Sequence, residues 1–79
     1  MEHYLNKSGT SPVTKFKIEE EKIIVWYNDD TSYSYSYARA GQPIVDRLKE
    51  LAHAGEGLAT YISQQAKFLY DHKIDKPGT

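Results

Sequence analysis

Apolar and polar residues alternate along the first half of the chain and then change period. From Val13 to Glu20, Phe16 and Ile18 fall on one side and Lys15 and Lys17 on the other, which predicts a half-buried strand. The polar, like-charged run Glu19-Glu20-Glu21-Lys22 suits a solvated turn. Ile23 to Tyr27 is all β-branched or aromatic and predicts a second strand. Asn28-Asp29-Asp30-Thr31 supplies residues that bond back to their own backbone in turns. Ser32-Tyr33-Ser34-Tyr35-Ser36-Tyr37 then alternates with period two, so a third strand is expected with its tyrosines on one face.

Beyond Gly41-Gln42-Pro43 the spacing becomes helical. Pro43 suits a first helical turn, and Ile44, Val45, Leu48, Leu51 and Ala52 form one stripe. Gly55 is placed to end that helix. A second helical stripe runs through Leu58, Tyr61, Ile62, Gln65, Phe68 and Leu69. The expected fold is α+β: a three-stranded antiparallel meander followed by two helices packed on one sheet face. Residues 1–12 read as a flexible N-terminal tail, 13–72 as a single domain and 73–79 as a flexible C-terminal tail. Pairing Tyr27 with Tyr33 would set Val25 opposite Tyr35 and Ile23 opposite Tyr37, with Ile24 and Trp26 on the other face beside Ser34 and Ser36. A slip of one residue would bring Trp26 inward, so the surface argument depends on register.

At 79 residues and 39% hydrophobic content the chain has room for one small core. Ten basic against eleven acidic residues give a net charge of −1, unlike a strongly basic nucleic-acid binder. No segment approaches the ~20 apolar residues of a membrane span. The first twelve residues lack an apolar signal-peptide core, and a cytoplasmic, membrane-independent protein is the expectation. There is no cysteine, hence no thiolate nucleophile and no disulfide.

The order and spacing of these motifs resemble the KTSC domain, a small module found alone or at the C-terminus of some lysyl-tRNA synthetases. The likeness spans about residues 11–70. It is carried by Ser11 ahead of Val13, Phe16 and Ile18, by Ile23-x-Val25-x-Tyr27, by Tyr33-Ser34-Tyr35, and by Gly55 seven residues before Ile62. Asp30, His53 and the late Pro43 depart from the pattern, where a glycine, a serine and an earlier Val-Pro are usual. The resemblance implies a non-catalytic module for which RNA binding is suggested.

Candidate chemistry is sparse. His3, His53 and His72 are scattered, Glu50 and His53 lack a second ligand pair, and no nucleophile motif or complete glycine-rich phosphate loop is present. No enzyme, metal or cofactor is expected. Two readings are open for the Tyr33-Tyr35-Tyr37 ladder, a core-facing strand face and a base-stacking platform, and the core reading is preferred. The candidate binding residues are Lys15, Lys17, Ile24, Trp26 and Ser34 on the face opposite the helices. There Trp26 could stack on a base while the lysines meet phosphates. The same apolar pair, Ile24 and Trp26, would equally suit a protein partner or a second copy of the chain. Burial of Trp26 under the first helix or the N-terminal tail is the third reading.

Overall fold

The computed structural model describes residues 2–7, 9, 11–28 and 31–74. Three central strands, β2 (Val13–Glu19), β3 (Lys22–Tyr27) and β4 (Ser32–Ser36), form the expected antiparallel meander. Two short strands extend it, β1 (Glu2–His3) against β2 and β5 (His72–Ile74) against β4, giving a five-stranded sheet in the order β1-β2-β3-β4-β5. The α+β class therefore holds, with two more strands than the sequence predicts.

Parity decides which side chains enter the core. Ile23, Val25 and Tyr35 are sealed on the inner face. Val13 and Phe16, three residues apart, both point inward because a bulge between Val13 and Lys15 absorbs one residue of the ladder. The β3–β4 register differs from the expectation by two residues: Ile23 faces Tyr35, Val25 faces Tyr33 and Trp26 faces Ser32. The cause lies in the turn, where the Tyr27 amide donates to the Thr31 carbonyl at 2.8 Å, so Thr31 joins the ladder instead of the loop. A two-residue slip keeps every side chain on its face.

Tyr37 leaves the strand. Ser36 caps the short helix α1 (Tyr37–Ala40), its hydroxyl accepting from the Arg39 amide. The Tyr37 hydroxyl donates to Asp46 Oδ1 at 2.8 Å, and Lys49 Nζ lies 5.1 Å from the ring centroid. That hydrogen bond, ahead of desolvation, raises the Tyr37 pKa. Helix α2 (Gln42–Ala54) begins with Pro43 in its first turn and buries Val45, Leu48 and Ala52. Gly55 ends it in the left-handed conformation (φ 79°), donating to the Leu51 carbonyl.

The second helical stretch is not continuous α-helix. Helix α3 (Leu58–Tyr61) passes into a π-helical turn over Ile62–Ala66. The wider turn shifts the phase of the buried stripe to Leu58, Ile62 and Ala66, leaving Gln65 exposed and turning Phe68 out to 72% exposure. The sequence spacing places both residues on the packed stripe, and the wider turn is what moves them off it.

The predicted N-terminal tail is instead partly built into the fold. Tyr4 is 5% exposed and belongs to the core. Its amide donates to the Thr14 carbonyl, and its hydroxyl accepts from the Leu58 amide at the start of α3. The Lys7 amide donates to the Gly55 carbonyl at 2.7 Å. Asn6 closes the loop to Ser11 through two side-chain hydrogen bonds of 3.1 Å. Residues 1–7 carry too short a pattern to show periodicity, but Tyr4 finds a slot between β2 and α3. At the other end, residues 73 and 74 of the predicted tail lie in β5, and 75–79 fall outside the described residues.

Candidate nucleic-acid interface

Helices pack on the inner face of the sheet, where Val45, Leu48, Leu58 and Ile62 meet Ile23, Val25 and Tyr35 in one core. Among the described residues no helix covers the outer face, and neither Ile24 nor Trp26 is part of that core. Alternation places the five sequence-selected residues together on this face. Lys15 sits directly opposite Trp26, Lys17 opposite Ile24, and Ile24 opposite Ser34. Lys17 is exposed, while Lys15, Ile24 and Trp26 are partly buried. Trp26 is thus neither under the first helix nor fully open.

Ser34 requires correction as a contact residue. It is on the expected face but buried at 9%, and Ser32 beside it at 4%. In a three-stranded meander this strand would lie at the sheet edge. With β5 paired alongside, Ser34 facing His72 and Ser32 facing Ile74, β4 is interior. Small serines between larger neighbours form a floor. Lys15, Lys17, Ile24 and Trp26 stand as the accessible set.

Three further residues join this face without having been selected from the sequence. His3 pairs with Lys15 through β1. Lys22 faces Ser36 at the far end and approaches Glu19 at 3.9 Å, an exposed pair of little energetic weight. The sequence pattern predicts a turn at Glu19 and Lys22, and the extension of both strands to these positions is what brings them in. Among the described residues, Lys15, Lys17 and Lys22 lie on this face with Glu19, and Glu20 and Glu21 line the cavity at its Lys22–Ser36 end.

The tyrosine ladder serves the opposite face. Tyr35 is in the core, and Tyr33 meets Tyr27 edge-on at 5.3 Å and Tyr70 at 5.1 Å. Burial, with the Tyr33 phenol adding to it, pushes the Tyr27 pKa up to about 12. Of the groups considered for catalysis, Glu50 pairs with Arg47 at 3.4 Å, and the His53 ring packs edge-on against Phe16 at 5.7 Å. Among the described residues no group of three or more His, Cys, Asp or Glu side chains could hold a metal ion, and no helix is long and apolar enough to cross a membrane.

The class defined by these observations is a small α+β domain with one helix-covered and one open sheet face. No family model, curated protein or solved structure matches the chain.

Proposed function

We propose that the protein is a non-catalytic module that binds single-stranded RNA across the open face of its sheet. The observation that carries this reading is the register that sets Lys15 opposite Trp26 and Lys17 opposite Ile24 on a face without helices. Trp26 supplies a stacking surface, worth ~1–3 kcal/mol per base in such sites. Lys15 and Lys17 meet the flanking phosphates, and the half-buried Ile24 extends the apolar ground beside the ring. The KTSC likeness of residues 11–70 points the same way, since RNA binding is suggested for that family.

The affinity is modest. Two phosphate contacts on a single strand give a log–log salt slope of about −1.4, so binding weakens roughly seven-fold between 50 and 200 mM salt. The test is an amide NMR titration with a pyrimidine-rich RNA octamer at both salts. Shifts at residues 15–17, 24–26 and 32–34 are expected. Trp26→Ala should weaken binding at least about five-fold, from the lower stacking value. Salt-independent self-association that is lost in Trp26→Lys would replace the RNA reading with a homophilic interface on Ile24 and Trp26. That alternative is favoured only by the partial exposure of this apolar pair.

A further inference from the structure

Residues 2–7 are held to the domain much as a bound peptide would be. Tyr4 is their one buried side chain, while Glu2, His3 and Lys7 are exposed and Leu5 is 68% exposed. The other ties run through the main chain. The Tyr4 amide donates to the Thr14 carbonyl, the Lys7 amide donates to the Gly55 carbonyl, and Glu2 and His3 pair with Phe16 and Lys15. The Leu58 amide closes the set by donating to the Tyr4 hydroxyl. A groove that holds one tyrosine and an extended backbone takes any chain presenting them in that register. Because β1 is the outermost strand, the segment can leave and be replaced without unthreading another strand.

The return from this segment to β2 supplies an independent observation. Asn6, though not a glycine, has a φ of 53°, and Gly9 has a φ of 75°. The Gly9 amide donates to the Asn6 carbonyl at 2.9 Å, and the Asn6 side chain is clipped to Ser11. The chain thus doubles back to reach its own groove, and left-handed backbone at Asn6 is a cost that an extended connection releases. Extended, the six steps from Lys7 to Val13 reach about 20 Å, enough to carry Tyr4 away from its own domain. The clip and the short tether keep the segment at home in dilute solution, and the left-handed residues oppose them.

We propose that the groove between β2 and the start of α3 takes residues 2–7 of a second copy of this chain, so that two molecules exchange these segments and form a closed, two-fold dimer. Every contact made by Tyr4, Leu5 and Lys7 within one chain is then remade between two, and only the connection changes shape. The exchange alters no contact of Trp26 or Ile24, so the inference stands apart from the RNA reading. It also differs from a homophilic interface on that apolar pair, because the sheet face stays open in the dimer.

The experiment compares the native chain with Gly9→Val. A Cβ at Gly9 would meet no described atom within 4 Å, so the substitution penalises the closed connection and touches no packing. Each protein is refolded from urea at about 1 mM, the effective concentration of a short tether, and at about a hundredth of that, then sized by light scattering. The native chain should show a dimer at the higher concentration and a monomer at the lower. Gly9→Val disfavours closure about five-fold or more per chain, and a dimer opens two, so its dissociation constant should fall about 25-fold. Labelled and unlabelled chains refolded together should give nuclear Overhauser contacts from the Tyr4 ring of one copy to Leu58 of the other. The dimer should survive Trp26→Lys and high salt. A native chain wholly monomeric at the higher concentration, a folded Gly9→Val that dimerises no better, or a dimer whose Tyr4–Leu58 contacts stay within one chain would overturn the proposal.

Discussion

Gly55→Ala is expected to loosen the N-terminal segment from the domain. At φ 79° an alanine pays for the left-handed conformation, about 1–2 kcal/mol, offset by about 0.4–1 kcal/mol from a stiffer unfolded chain. The new Cβ would also lie 2.6 Å from the Leu5 Cβ, an atom fixed to the backbone that no rotamer change can move. Restoring a contact of about 3.5 Å displaces Leu5 by close to 1 Å. The displacement strains the bonds on either side of it, Lys7 N–H to the Gly55 carbonyl at 2.7 Å and Leu58 N–H to the Tyr4 hydroxyl at 3.3 Å. At about 1 kcal/mol each, the total comes to about 2–4 kcal/mol, a large part of what a domain this size holds.

Gly57→Ala is the matched control. Its φ is 80°, but the nearest atom to a new Cβ is Leu51 Cδ2 at 3.6 Å, an ordinary contact. That variant should cost only the backbone difference, about 1 kcal/mol. Urea melts followed by circular dichroism give both values, and hydrogen exchange at the Tyr4 and Lys7 amides localises the damage. Exchange at those two amides should accelerate in Gly55→Ala and not in Gly57→Ala. Equal midpoints for the two variants would refute the claim that Leu5 and Gly55 pin the segment.

Tyr4→Phe leaves the ring but removes the acceptor of the buried Leu58 amide, and should cost about 1–3 kcal/mol in the same melts. Phe68→Ala should change stability by less than about 0.5 kcal/mol while Leu58→Ala costs about 2–5, because the π-turn exposes the first and seals the second. A large loss for Phe68→Ala would mean that the stripe runs on as plain α-helix. Tyr27 ionises near pH 10 when unfolded and near 12 when folded, so its contribution is complete below pH 10 and is lost as the pH rises through about 12. Alkaline titration followed by circular dichroism should show unfolding in that window, delayed in Tyr27→Phe.

What the sequence discloses is parity. Ser32 to Ser36 alternates cleanly, but Ile23 to Tyr27 is apolar on both faces, so the outer position of Ile24 and Trp26 depends on a pairing of the right parity, which the two-residue difference in register preserves. Register was not legible, because it rests on whether Thr31 belongs to the turn or the ladder, a single hydrogen bond. The flanking strands were not legible either. Two residues at Glu2–His3 and three at His72–Ile74 are too few to display alternation, and both form by docking onto a sheet already made. Missing β5 led directly to treating buried Ser34 as exposed. The phase change at Ile62–Ala66 carries no composition signal, since Ile-Ser-Gln-Gln-Ala would serve an α-helix as well.

The shortness of β1 has a consequence for how molecules of this protein behave toward one another. Among the described residues it pairs only with Lys15 and Phe16, so the remainder of β2 toward Glu19 has no described strand beside it. Lys17 and Glu19 stand on that stretch as charged gatekeepers against edge-to-edge growth. The section covered by β1 has Phe16 beneath it. Removing residues 1–4 would strip the edge and withdraw Tyr4 from the core in one step, creating a template for intermolecular strand addition beside a newly opened apolar hole. Crowding an affinity tag against Glu2, or clipping the chain there during purification, therefore invites aggregation before any loss of ligand binding could be scored.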